Sequence, residues 1–305
     1  MIRASIDIGS NSVLLLACEM DQAGKKIKCE LLNLSYITSL GKDLDKTKIF
    51  HPDSMQATYE ALSDYKKQLE KINFKPENVL VTATEASRVA TNAPEFFQKI
   101  KSELGFSITK ITARGEAYYT ALGVASVVES DSELVIMDMG GASTELIRIQ
   151  LHPFQILSTI SMPVGSVRAT DWRAEKSFDE RMDNILSADL VPYETKNLLC
   201  VAGSMTSLAS MFLGHNVYKD KEIDGLTIKF SSFKAFSADL QKTNIENLLL
   251  LFPHLGKRAP MVAAASTVAE MIGEKLKIEN MQISTRGLRY GVLIQGEIDG
   301  QFTIG

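Results

Sequence analysis

The run Leu134-Val-Ile-Met-Asp-Met-Gly-Gly-Ala-Ser-Thr-Glu-Leu-Ile147 decides how the chain is read. Its apolar residues deliver Asp138 to the end of what reads as a buried strand. Gly140-Gly141 would then let the backbone turn tightly and set N–H groups against an anion. Ser143 and Thr144 add hydroxyl donors, while Asp138 and Glu145 carry oxygens suited to a hard cation such as Mg²⁺. A strand ending in Asp-Gly-Gly also suits an ordinary hairpin, so this run alone leaves phosphate cradle and plain turn both open.

The pattern Asp-apolar-Gly-x-x-Ser, here Asp138 to Ser143, occurs first at Asp7-Ile-Gly-Ser-Asn-Ser12. Each copy follows one strand pattern and precedes another, which points to a duplicated domain. A further glycine turn, Ala202-Gly203-Ser204-Met205-Thr206, follows the apolar run from Leu198 and opens a helix, whose first N–H groups and dipole favour anions. Around these turns an opening antiparallel meander gives way to alternating helices and short strands, the order of an α/β layered protein. Helices are predicted from Pro52 to about Ile72, from Ala93 to Leu104, from Gly115 to Val128 and over Phe178–Leu190. Others are predicted over Met205–Leu213, Ser232–Lys242 and Arg258–Lys275, with a last one beginning near Gly287.

A chain of 305 residues is long for one core and suggests two domains, and 45% apolar with 23% charged residues is a globular composition. The formal charge of −4 gives no general attraction to nucleic acid or to a membrane surface. A polyanion would have to meet a local basic cluster; Lys42, Lys46 and Lys48 are the candidates, with a solvated loop as the plainer reading. Asp7 interrupts the place where a signal peptide would be apolar, and no apolar run reaches membrane-spanning length, so a cytoplasmic protein is expected. Cys18, Cys29 and Cys200 lack CxxC spacing and are expected to be buried free thiols. The four histidines are scattered without HExxH, which gives zinc little support.

Repeated Asp-Gly turns on two related halves resemble the actin, Hsp70 and sugar-kinase superfamily. Within it the chain is most similar to the Ppx/GppA family of exopolyphosphatases and guanosine pentaphosphate phosphohydrolases, in a short two-domain form without the added helical domain of longer relatives. The similarity is carried by Ile6-Asp-Ile-Gly-Ser-Asn-Ser12, Thr82-Ala-Thr-Glu-Ala-Ser-Arg88, Gly115-Glu-Ala117 and Asp138-Met-Gly-Gly-Ala-Ser-Thr-Glu145. Pro163-Val-Gly-Ser-Val-Arg168 and Arg286-Gly-Leu-Arg-Tyr-Gly291 complete it. The resemblance implies an α/β fold of two ribonuclease-H-like (actin-like ATPase) domains, mixed sheets flanked by helices, with the active site in the cleft between them. The expected division is 1–124 and 125–305, with the last helix, about 287–305, packing back on the N-terminal domain.

The same resemblance implies Mg²⁺-assisted hydrolysis of the terminal phosphoanhydride of polyphosphate or guanosine pentaphosphate. Such chemistry asks a protein for in-line positioning and charge neutralisation. Glu116 would activate the attacking water, and Asp138 would hold Mg²⁺, with Asp7 and Glu145 as further metal candidates. Gly9, Ser10, Asn11 and Ser12 would cradle phosphate on one side. Gly140, Gly141, Ala142, Ser143, Gly203 and Ser204 would do so on the other, and Arg88 would meet a phosphate oxygen. The plainer alternatives are a surface or interdomain ion pair for Arg88 and, for Glu116 taken by itself, a carboxylate that merely complements a helix dipole. The resemblance also admits a homodimer.

The chain departs from the family pattern at Ala142, where a third glycine is usual, and at Val201-Ala-Gly-Ser-Met-Thr206, where a Gly-Thr-Gly-Gly-Thr-like loop is usual. Arg114 also brings positive charge to a run that more often carries acids. Two other functions therefore stay open beside the hydrolase: a sensor that binds guanosine tetraphosphate or polyphosphate without turnover, and a small-molecule kinase of the same superfamily.

Overall fold

Val13 to Cys18 is apolar at every position, the pattern of a strand covered on both faces. The computed structural model, which describes residues 1–128 and 133–304, shows what covers it. The first part of the chain supplies β1 (Ile2–Ile8), β2 (Ser12–Met20), β3 (Ile27–Ile37), β4 (Leu80–Ala83) and β5 (Ile108–Ile111). Its helices are α1 (Leu44–Thr47), α2 (Pro52–Lys71), α3 (Glu85–Val89), α4 (Ala93–Leu104) and α5 (Ala113–Ala125). Val13, Leu15 and Ala17 share a core with Leu62, Tyr65 and Leu69 of α2 and with Phe96, Phe97 and Ile100 of α4. Leu16, Cys18 and Met20, on the opposite face, meet Tyr290 and Leu293 from near the end of the chain. Pro52 and the His51 side chain, which accepts the Asp53 N–H, start α2, and its buried residues recur at helical spacing.

The second part repeats the plan with β6 (Glu133–Met139), β7 (Thr144–Gln150), β8 (Gln155–Met162), β9 (Asn197–Val201), β10 (Thr227–Lys229) and β11 (Asn280–Ile283). Its helices are α6 (Ser166–Ala174), α7 (Phe178–Leu186), α8 (Ala202–Phe212), α9 (Asp220–Ile223), α10 (Phe230–Leu240), α11 (Ile245–Leu251) and α12 (Ala259–Lys275). Met137, Leu146, Met205 and Val268 belong to its core. The chain then returns through α13 (Leu288–Gln295) and β12 (Thr303–Ile304), which pairs with β5. Two units result, 1–128 with 288–305, and 129–287.

The sheet orders are β12-β5-β4-β1-β2-β3 and β10-β11-β9-β6-β7-β8. Without the edge strands β12 and β10 they coincide: a meander of three antiparallel strands, then two strands parallel to the first. Each unit thus has the ribonuclease-H-like order, and the Asp-Gly turn in each joins the first strand to the second. The α6 helix, α11 and the short edge strands β10 and β12 carry too little periodicity to be found by pattern. Cys18 and Cys200 are buried, but Cys29 is exposed. The reason is that β3 is an edge strand with most of its residues open to solvent, so an apolar-looking run there did not mean burial.

In the first unit α13 packs so closely on α5 that a Cβ added at Gly291 would fall on the Tyr119 backbone carbonyl. Backbone cannot swing aside as a side chain can, so α13 would have to shift. Burial of Val292 and Leu293 contributes about 1.5 to 3 kcal/mol each, and a shift puts part of that at risk. Gly291→Ala is therefore expected to cost about 2 to 3 kcal/mol of stability. A urea midpoint equal to that of the parent protein would show that the contact yields at no cost.

Candidate active site

Parallel neighbours in a sheet bring their carboxyl ends to one edge, where α/β proteins place ligands. In the first unit β1, β4 and β5 are such neighbours. The turn Gly9–Ser12, α3 with Glu85 and Arg88, and the first turn of α5 with Glu116 therefore follow three adjacent strand ends. Thr84 N–H donates to the Ile8 carbonyl at 3.2 Å, extending the alignment past the strands. In the second unit β6, β9 and β11 do the same for the turn Gly140–Ser143, for Gly203 and Ser204 at the start of α8, and for Ser284 to Arg286. Asp138 pairs with Val201, which sets its half-buried residue beside that helix start.

The two Asp turns close identically: Gly9 N–H donates to the Ser12 carbonyl at 2.9 Å and Gly140 N–H to the Ser143 carbonyl at 2.9 Å. Gly9, Gly140 and Gly141 all lie outside the residues with positive φ, so these tight turns are made with torsions open to other residues. The close backbone approach at this turn is made by Gly165, where a Cβ would lie 2.5 Å from the Gly141 carbonyl carbon. Ala142 likewise stays out of the left-handed region, so its methyl imposes no backbone strain.

Arg88 lies among carboxylates. Its Nη1 and Nη2 each donate to Glu116 Oε2 at 3.1 Å, Nη2 donates to Glu85 Oε2 at 2.9 Å, and Nη1 to the Ile111 carbonyl at 2.9 Å. The Arg88 and Glu116 side chains are only 15% and 14% exposed, so this pair is little screened by solvent. Burial pulls the Arg88 pKa down, but Glu116 and then Glu85 outweigh it and hold the value above the ordinary one. The guanidinium thereby fixes the Glu116 carboxylate in place. Glu85, three residues before Arg88 on α3, lies within the Thr82–Arg88 motif but outside the expected site residues; its i, i+3 spacing to Arg88 is the signal that marks it.

In the second unit Asp138 and Glu145 are direct partners across β6 and β7, which puts both carboxylates on one face of the sheet. Glu145 is 3% exposed, and its Oε1 accepts the Ser161 hydroxyl at 2.7 Å. Adjacent like charges favour a cation between them, and Mg²⁺ takes one or two carboxylates together with waters and phosphate oxygens. No cluster of three or more His, Cys, Asp or Glu suited to an ion occurs among the described residues. Asp7 occupies in the first unit the position that Asp138 has in the second, opposite Leu14 rather than a carboxylate.

At the start of α8, Ala202 has φ 77°, a left-handed conformation that glycine would adopt without strain. A Cβ on Gly203 would lie 2.8 Å from Nη2 of Arg258, so a guanidinium covers this turn, a cation that no motif or spacing in the chain places there. The Gly203 carbonyl accepts the Ser207 hydroxyl at 2.7 Å. No helix among the described residues is long and apolar enough to cross a membrane.

A model of the Ppx/GppA phosphatase family matches residues 21–298. Among curated proteins, a bifunctional 3-dehydroquinate synthase/phosphatase of Fusobacterium nucleatum is 30% identical over 268 residues, 81% of this chain and 40% of that protein. A guanosine-5′-triphosphate,3′-diphosphate pyrophosphatase of Vibrio cholerae is 28% identical, covering 96% of this chain and 58% of its own length. Exopolyphosphatase 2 of Mycobacterium tuberculosis is 25% identical over 95% of this chain and 97% of its own. The chain therefore spans less than two thirds of the first two relatives. A crystal structure of the Aquifex aeolicus Ppx/GppA family member superposes with a TM-score of 0.78 at 27% identity, covering 97% of each chain.

Proposed function

The chain belongs to the Ppx/GppA phosphatase family, and from that premise we propose that it is a phosphoanhydride hydrolase releasing the terminal phosphate of polyphosphate or of guanosine pentaphosphate. The observation that carries the proposal is the Arg88–Glu116 pair, which holds a carboxylate at the strand-end edge next to a phosphate-type turn. Glu116 orients a water and takes its proton as the water oxygen bonds to the terminal phosphorus. The bridging P–O bond breaks, and its electrons leave with the shortened chain. Arg88 keeps Glu116 aligned, and Glu85 keeps Arg88 aligned. Asp138 and Glu145 are the residues that would hold Mg²⁺, which when bound would neutralise phosphate charge. The N–H groups of the Asp-Gly turns supply fixed donors that need no reorganisation as charge shifts to the leaving oxygen. No disulfide joins Cys18, Cys29 and Cys200, which suits a reducing compartment such as the cytoplasm.

The test is phosphate release from polyphosphate and guanosine pentaphosphate measured side by side with Mg²⁺ present. Release from neither above the buffer rate would end the proposal. A binder without turnover is the second reading, favoured by the strained Ala202 and by Arg258 over Gly203. It expects calorimetric binding of guanosine tetraphosphate with no phosphate produced.

A further inference from the structure

The two Asp-Gly turns are braced differently. In the first unit the Ser10 carbonyl accepts the Gly41 N–H at 2.7 Å, and the Asn11 carbonyl accepts the Thr38 and Ser39 N–H groups at 3.0 Å each. All these captors are backbone. In the second unit the captor is the first turn of α6. Ser166 N–H donates to the Gly140 carbonyl at 3.0 Å, and the Val167 and Arg168 N–H groups donate to the Gly141 carbonyl at 2.9 and 3.2 Å. The next carbonyl, that of Ala142, is held by a side chain: Arg168 Nη1 donates to it at 2.6 Å. α6 comes this near only because residue 165 is glycine, where a Cβ would lie 2.5 Å from the Gly141 carbonyl carbon and 2.6 Å from the Gly140 oxygen.

In a trans peptide the C=O and the following N–H point opposite ways. Three successive carbonyls turned toward α6 therefore turn three successive N–H groups, those of Gly141, Ala142 and Ser143, away from it, as an anion-binding concavity requires. Backbone secures the first two, whatever the side chains. The third depends on Arg168.

We propose that Arg168 is a positioning residue that aims the Ser143 N–H at the phosphate of the substrate. The inference rests on the reading of this turn as a phosphate cradle but concerns a residue that does not itself touch substrate. The experiment uses the full chain labelled with ¹⁵N, titrated with inorganic phosphate, alongside Arg168→Ala and Arg168→Lys. In the parent protein the amide resonances of Gly141, Ala142 and Ser143 move with phosphate. In Arg168→Ala the Ser143 response is lost while that of Gly141 remains, and kcat for polyphosphate falls about 10²-fold, the cost of an ångström-scale misplacement. Arg168→Lys, which restores one donor to the Ala142 carbonyl, recovers to within about tenfold of the parent.

A Ser143 response unchanged in Arg168→Ala would overturn the proposal. So would the joint loss of the Gly141 and Ser143 responses, which would mean that Arg168 only stabilises the loop, or phosphate leaving all three amides unmoved in the parent. Should the parent release no phosphate from either polyanion while its Ser143 response still depends on Arg168, the hydrolase reading fails and this inference stands.

Discussion

Replacing Glu116 by Gln is expected to lower phosphate release by about 10²- to 10⁴-fold, the range for loss of a positioned general base. Gln keeps the size and can still meet Arg88, so the water loses its proton acceptor while the packing changes little. Glu85→Gln is the informative control. It weakens the same guanidinium at Nη2, where the contact is 2.9 Å, but leaves the Glu116 carboxylate intact. A drop of less than about tenfold is expected there, the scale of one weakened hydrogen bond. Both variants also disturb a partly buried ion pair and are expected to cost about 1 to 3 kcal/mol in urea. Full activity in Glu116→Gln would leave Glu116 as only a partner of Arg88.

Asp138→Asn is expected to have the next largest effect, about 10²-fold or more in rate, together with a higher Mg²⁺ concentration for half-maximal activity. The stability readout separates this from simple damage. Like charges set directly opposite in an antiparallel pair are destabilising, and Asp138 faces Glu145 in that way. Without metal, Asp138→Asn should therefore melt no lower than the parent. With Mg²⁺ at about a hundred times its Kd, the parent should gain about 2.7 kcal/mol by mass action, and the variant should gain much less. Equal stabilisation of both proteins by Mg²⁺ would remove Asp138 from the metal site.

The parts of the fold visible in the sequence are those written in local pattern. Asp7 and Asp138 each end an apolar strand before a glycine turn, and that repeat disclosed two units with one topology. The helix stripe of α2 was equally plain. What stayed hidden was set by neighbours distant in the chain. Arg88 reaches Glu116 because β4 and β5 are parallel neighbours, and no spacing between residues 88 and 116 reveals a sheet order. Arg258 over Gly203 is hidden for the same reason. The Pro163–Arg168 motif was legible as a motif, but it holds the Gly140 and Gly141 carbonyls by backbone N–H groups, which every residue type but proline carries, and the reach of the Arg168 side chain to the Ala142 carbonyl is set by the fold. Cys29 misled because an edge strand keeps β-forming residues while losing the cover that would bury them.

The return of α13 and β12 to the first unit has a consequence for biosynthesis. Residues 129–287 are one uninterrupted segment, whereas the sheet begun by β1 is complete only when Thr303 and Ile304 pair with β5. Chains generally fold domain by domain as they emerge from the ribosome. Here the half that is made first should finish last. Until α13 has emerged, the nascent protein would expose the Leu16, Cys18 and Met20 face that α13 later covers. That interval is when a chaperone would have something to hold.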